Sequence, residues 1–514
     1  MGIPLLFLRD NYLLFHTFGT ENGKVQYIVG IYILIIIVLY FGVLLLISHL
    51  TSRRSDNDAF FLANRQSPWY LVAIGMIGAS ISGVTFISVP GVVGNIDMTY
   101  MQMVLGFIPG YLIVAYVLLP LYYKLQLTTI YGYLEQRFGQ YSYKTGASFF
   151  ILSRIIGSAA KLYLVVLVLQ TLVFDQWNVP FPVTVACIIA MIWLYTHRSG
   201  IKTIVWTDTL QTICVVVAVI LIIYQVASQL GMGTVDIFRT VVENEHSRIF
   251  VFDDWASTQN FFKQFFSGIL IVIVMTGLDQ DMMQKNLTIR TLKDAQKNMI
   301  FSGISFTPLN LLFMGLGVLL LVYASARGIA LPEKTDEILP YIVTNYLGVP
   351  ALICFTIGII ASSFANADSA LTSLTTTVCV DLLGIGKRDD KASQKLRRLV
   401  HALMSIVFLF VILIIHLVGQ NNVLDTIYKA ASYTYGPLLG LFFYGLFTKK
   451  TPRDALVPVV CVLAPALCFV VDWYLLKYFG YKVGYEILLF NGLITVLGLW
   501  LLSLNRPLAE RKNL

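Results

Sequence analysis

Long apolar runs recur along the chain, separated by short polar connections, and most are long enough to cross a bilayer as a helix. The pattern predicts about thirteen transmembrane helices near residues 27–50, 67–93, 100–123, 143–172, 180–195, 203–227, 261–279, 298–323, 347–383, 399–418, 422–447, 455–476 and 485–504. Two of these look interrupted. The second contains Gly75, Gly78, Ala79, Ser80, Ile81, Ser82, Gly83 and Thr85, which together lower helix propensity in mid-membrane and free backbone carbonyls for a ligand. Five spans later, Thr276 and Gly277 interrupt the run before Leu278, Asp279 and Gln280. Either interruption alone would more often serve close helix packing. As a pair, at corresponding positions of two halves, they point to an inverted-repeat transporter with its site at the membrane midplane.

The stretch 359–381 adds candidate chemistry. Ser362, Ser363, Asn366, Ser369 and Ser373 fall largely on one stripe at helical spacing inside an otherwise apolar run. In lipid that stripe must face protein, water or an ion. Ser362 and Ser363 offer neutral oxygens, which suit a sodium ion that has to be bound and then released. A stripe that only lets helices approach closely fits the residues equally well.

Composition settles the class: 57% of the 514 residues are hydrophobic and 12% charged, far from a soluble average. The expected protein is an all-α polytopic membrane protein in a cell (inner) membrane. Of its 36 basic residues, 24 fall on one set of alternate loops and nine on the other, which places the N-terminus outside and the C-terminus inside. The net charge of +8 is thus a topology signal and gives no reason to expect nucleic acid as a partner. Three cations remain inside or at the edge of the spans: Arg154, Lys161 and Lys429. Intramembrane cations need anions. A carboxylated solute would supply one, as would Asp208 or Asp368, with Lys429 near the outer interface.

Several classes recede. There is no His-Glu-x-x-His, no phosphate-binding Gly-Lys-Ser/Thr loop and no Gly-x-Ser-x-Gly, so neither ATP hydrolysis nor covalent catalysis is expected, nor any cofactor. The six cysteines lie in apolar segments without metal-like spacing and read as packed thiols. No cleavable leader and no appended soluble domain are expected. The longest polar connection, 228–260, reads as a structured extracytoplasmic loop with a short amphipathic helix.

These residues resemble the sodium:solute symporter family, which includes sodium-coupled sugar, proline and sialic acid carriers. The resemblance runs from Phe61-Leu62-Ala63-Asn64-Arg65 through Tyr133-Leu134-Glu135-Gln136-Arg137-Phe138-Gly139, Trp206-Thr207-Asp208 with Gln211, and Asp279-Gln280 with Ala295-Gln296-Lys297, to Gly436-Pro437-Leu438-Leu439-Gly440-Leu441-Phe442. It implies a single transporter domain over 1–514: a preceding helix at 25–50, a five-plus-five inverted-repeat core over 67–447 and two additional helices within 453–504.

The resemblance also implies a sodium site built from backbone oxygens of Gly78, Ile81 and Ile359 with the hydroxyls of Ser362 and Ser363. Some members add a second sodium at the aspartate corresponding to Asp208, but two hydroxyl positions used there are Ala365 and Asn366 in this chain. Asp208 and Asn366 therefore stand as a second ion site or as part of an exit path. Solute candidates by position are Thr85, Arg154, Lys161, Met275, Thr276 and Lys429. Arg154 lies in the third core helix, where a sialic acid carrier of the family uses an arginine. The expected activity is sodium-coupled symport of a small organic solute by alternating access, with sodium as the coupling ion, the lipid bilayer as surroundings and a monomer sufficient. An anionic solute leads, ahead of a neutral sugar, polyol or zwitterion. A proton-driven carrier, a transporter-like receptor without flux and an integral membrane enzyme are the rivals.

Overall fold

The computed structural model describes residues 22–51, 57–197, 200–385, 391–418, 423–481 and 483–504. The basic positions Arg53, Arg54, Arg198, Lys387 and Arg388, counted above for orientation, lie outside them, as do both chain ends. Regular structure among the described residues is helical, apart from an isolated bridge between Ser67 and Ile289. Among the described residues, the segments expected to span are built of helices, three of them with a break.

The order is α1 (Asn22–Thr51), α2 (Asn57–Leu62), α3 (Trp69–Ser80), α4 (Gly83–Ile96), α5 (Tyr100–Ile113), α6 (Leu119–Lys124), α7 (Gly132–Arg137), α8 (Gln140–Leu169), α9 (Phe181–Thr196) and α10 (Ile201–Gln229) in the first half. The long polar connection after α10 carries α11 (Thr234–Glu243), the amphipathic helix expected there. The second half runs through α12 (Phe261–Val272), α13 (Gln280–Leu287), α14 (Leu292–Arg327), α15 (Thr335–Asn345), α16 (Val349–Thr377), α17 (Lys391–Val418), α18 (Val423–Thr434) and α19 (Gly436–Phe447), followed by α20 (Val457–Phe479) and α21 (Ile487–Leu504). Among the described residues nine helices are long and apolar enough to cross a membrane singly, and a bent pair makes ten. The remaining expected spans correspond to shorter apolar helices such as α3, α9 and α19.

Three breaks shape the interior. Between α3 and α4, Ile81 (φ −81°, ψ 85°) and the extended Ser82 leave the helical region, and Ser82 caps α4 by accepting from Thr85 N. Between α12 and α13 a π-turn over Ile273–Gly277 ends at Leu278 and the extended Asp279, and the two pieces meet at 61°. The third, at Tyr435, splits the span expected over 422–447. Pro437 in the first turn of α19 lacks the N–H that a continuous helix would need.

Around these breaks α10 packs on α16 and α3, α5 on α12 and α14, and α8 on α16, α17 and α18. The helix α1 lies against α9, α10 and α16, whereas α20 and α21 cover α18 and α19. One group therefore contains both broken helices with α5 and α14, and it faces a second group built on α8, α9, α16 and α17. A site between the groups would be exposed by their relative movement.

Candidate sodium and solute site

The serine stripe faces the first break. In α16 the hydroxyls of Ser362 and Ser363 both donate back to Ile359 O, at 3.0 and 2.6 Å, so three candidate oxygens converge on one turn. All three residues are buried. Opposite them, Gly83 starts α4, and a Cβ there would stand 2.7 Å from Ser363 Oγ and 2.6 Å from Val165 Cγ2. Only a glycine lets the half-helix come this close to the hydroxyl pair. Gly78, one turn before the break, is packed so tightly on Thr212 that a side chain would collide with its hydroxyl. The same Thr212 donates to Ile74 O at 2.8 Å and fastens α3 to α10. Asn366, one turn beyond the serine pair, donates to Ala79 O at 2.9 Å. The broken segment is thus held to α16 by an amide on one side of the two hydroxyls and by close packing on the other.

Beside the break lies a cavity. Thr85, Arg154, Lys161, Met275 and Thr276 line it together with Ser80, Ser82, Tyr111 and Tyr428. Five of the six solute candidates named from the sequence therefore meet at one place. Lys429 is not among the lining residues, although its neighbours Ile427 and Tyr428 are.

The two cavity cations have different surroundings. Arg154, 5% exposed, is paired with Asp281 and has Asp279 Oδ2 at 3.7 Å. Asp208 and Asp368, the partners considered from the sequence, do not pair with it among the described residues. Lys161 Nζ instead lies 3.3 Å from Asn366 Oδ1 and pairs with no carboxylate among the described residues. Asn366 is therefore bridged between Lys161 and the backbone of the first break, which leaves its oxygen committed to an ammonium.

The second break is organised by charge. Asp279 caps α13 by accepting from Asp281 N and Met282 N at 2.9 and 3.2 Å. It also accepts from Tyr435 OH, at the third break. Asp281 and Lys285 stand four residues apart on one face of α13. The former pairs with Arg154 of α8, and the latter puts Nζ 2.6 Å from Asp208 Oδ2 of α10. Lys285 was expected in a basic loop, but it is 1% exposed inside the bundle, because the expected span stopped at 279 and α13 is too polar to read as part of it. Arg397, likewise assigned to a loop, is fully buried, donates to Asn57 Oδ1 at 2.9 Å and covers the ring of Phe60.

In the sequence Asp279 stands out only as part of a motif, and Asp281, Lys285 and Tyr435 do not stand out as site residues. The available signal was an aspartate after an interrupted helix, followed by an acid and a base four residues apart. That spacing indicates a short helix with one charged face rather than a loop.

Comparisons with known proteins agree with this fold. The family model described as "Sodium:solute symporter family" matches residues 60–458. A sodium/sialic acid symporter of Aliivibrio fischeri is 25% identical over 83% of this chain and 85% of its own, and the human sodium/iodide cotransporter is 24% identical over 77% and 62%. Among solved structures, a Na+-coupled sialic acid symporter in a substrate-bound outward-open state superposes with a TM-score of 0.79 at 20% identity, covering 92% of this chain and 98% of that one. Mhp1, a nucleobase-cation-symport-1 family transporter, gives 0.57 at 13% identity over 86% and 93%. These likenesses establish the inverted-repeat transporter fold. With the family model spanning most of the sequence, the chain belongs to the sodium:solute symporter family and is a multi-pass membrane transporter, not an enzyme.

Proposed function

We propose that the protein couples inward movement of one sodium ion to uptake of a small organic anion bearing a carboxylate. The sodium would be held between the break, through backbone oxygens of Gly78 and Ile81, and α16, through Ile359 O and the hydroxyls of Ser362 and Ser363. The anion would lie in the adjoining cavity, with its carboxylate at Lys161 and its body against Thr85, Met275 and Thr276. The observation that carries the reading is the Lys161 ammonium: it lines the cavity with an amide oxygen at 3.3 Å and no carboxylate partner among the described residues. A partly buried cation without a counter-charge favours an anionic ligand. Arg154 is a weaker anchor because two aspartates already face it. Sialic acid and iodide, named for the two relatives above, are both anions.

Coupling has a short physical route in this arrangement. Asn366 touches both Lys161 and Ala79 O, two residues before Ile81. A carboxylate arriving at Lys161 changes the partners of Asn366 and so the hold on the broken segment. Sodium binding would stabilise the state in which both sites are open to the outside, and rocking of one helix group against the other would release both inward. One sodium crossing about 100 mV contributes about 2.3 kcal/mol, which a singly charged carboxylate entering with it cancels, so a tenfold sodium gradient, about 1.4 kcal/mol, is what drives uptake. The chemical term alone sustains a gradient of up to roughly tenfold for such an anion.

The test is the thermal stability of the purified protein in sodium against choline at equal ionic strength, with sialic acid, a short monocarboxylate, glucose or proline added in turn. Wild type is expected to be stabilised by sodium and further by one of the anions. Ser363→Ala loses the sodium shift, while Lys161→Gln retains it and loses the anion shift. A well-folded wild type indifferent to sodium, or one that responds only to glucose or proline, overturns the reading. Uptake into proteoliposomes with the responding solute separates a carrier from a receptor.

A further inference from the structure

The pair of Lys285 and Asp208 is deeply buried outside the cavity, with side chains 2% and 0% exposed. Around the Asp208 carboxylate the other hydrogen-bonding groups come from two helices. Ser369 Oγ of α16 is 3.5 Å from Oδ2, and the amide nitrogen of Gln211 on α10, in the orientation that satisfies its neighbours, is 3.2 Å from Oδ1. The next carboxylate, Asp368, accepts from Tyr195 OH and Ser369 N and turns to those partners. The pocket at Asp208 is thus a buried anion lined by a hydroxyl and an amide, and α13 inserts its ammonium into it. A buried carboxylate requires a cation, whether that cation is free or covalently attached.

We infer that Lys285 is a tethered counter-cation: its ammonium fills the cation position at Asp208, and that position opens to small free cations when the side chain is removed. The inference rests on the one-sodium reading above, because a filled position at Asp208 leaves the Ser362 and Ser363 site as the place for a mobile ion. Two features support it. Lys285 reaches Asp208 from the half-helix after the second break, so the position is filled only while α13 stays docked. The same face of α13 carries Asp281 to Arg154, which fixes its register. Lys285 also takes a strongly hydrated, compact charge out of water, which is tolerable only at a site that satisfies a monovalent cation.

The experiment uses full-length protein in detergent and in proteoliposomes. Lys285→Ala is expected to melt well below wild type in choline and to recover most of that loss in ammonium, methylammonium or sodium chloride at equal ionic strength, with wild type showing no ammonium response. Because Lys285→Ala can fail to fold, Asp208→Asn/Lys285→Gln is measured beside it. This variant removes charge and counter-charge together, and is expected to be stable in choline and indifferent to ammonium. In proteoliposomes, sodium-dependent uptake by wild type should rise with a Hill coefficient near 1. The inference is overturned by a wild-type coefficient near 2, by a folded Lys285→Ala that ammonium does not stabilise, or by a double variant that responds to ammonium. The ammonium arm does not involve Ser363, so a failed sodium site and a failed tethered cation give different results.

Discussion

The two principal breaks do the same geometric work with opposite chemistry. At Ile81 the chain is interrupted by small neutral residues, and its partners across the gap are hydroxyls, an amide and a close glycine contact. At Leu278 the interruption is held by full charges: Asp279 capping α13, Asp281 on Arg154, Lys285 on Asp208, with Tyr435 closing the third break onto Asp279. Neutral oxygens bind a sodium ion weakly enough to let it go, whereas buried ion pairs resist separation because each partner is costly to leave alone. On the proposed reading, the first break is the exchangeable side of the site and the second its fixed frame.

The sharpest way to break that contrast is Asp281→Ala. It leaves Arg154 buried with Asp279 at 3.7 Å as its remaining carboxylate, and losing one partner of a buried pair costs about 3–5 kcal/mol. A large fall in melting temperature is expected in sodium and in choline alike. Replacing both members, in Arg154→Leu/Asp281→Leu, should recover much of it, since the uncompensated charge is gone. If Asp281→Ala melted like wild type, the charged break would not be a frame.

A pair of glycines sharpens the comparison at intermediate cost. Gly83→Ala brings a methyl against Ser363 Oγ and Val165, and Gly277→Ala brings one against Leu118 and Val114, at 2.5 Å from Leu118 Cδ1 and 2.8 Å from Val114 Cγ2. Overpacking of either kind costs about 1–3 kcal/mol. Their consequences for the ion should differ. Gly83→Ala is expected to raise the sodium concentration for half-maximal stabilisation about tenfold or more, and Gly277→Ala to leave it within about twofold while lowering stability. Sodium titrations monitored by melting temperature read both. Equal effects would remove the distinction between the two breaks.

The first break was legible in the sequence because glycine and serine clusters act locally: they weaken a helix wherever they stand, and Ser362 and Ser363 mark their face by spacing alone. Arg154 and Lys161 were legible for a similar reason, since a cation inside an apolar run is conspicuous. The frame of the second break was not. Its members are polar residues in a polar segment, and α13 carries too little apolar surface to look like part of a span. Lys285 counted as a loop cation because its anion lies 77 positions earlier, on α10. Arg397 was misplaced in the same way, its partners being Asn57 and Phe60. Hydropathy reports what a segment would do in lipid, and these segments are surrounded by protein.

The smallest expected effect separates capping from ion binding at the first break. Ser82 caps α4 through a long bond, 3.4 Å to Thr85 N, whereas Asp279 caps α13 through two shorter ones. Removing a serine cap costs about 0.5–2 kcal/mol, and the length of this bond argues for the lower end. Ser82→Ala should therefore cost about 0.5 kcal/mol in choline. It keeps the backbone carbonyls at Gly78 and Ile81, so if sodium is held there by main-chain oxygens the sodium shift should survive nearly intact. Ser82 also lines the cavity, so the anion shift is the more exposed of the two. Loss of the sodium shift with the anion shift preserved would mean that the Ser82 hydroxyl, rather than the opened backbone, provides the oxygen on this side of the ion.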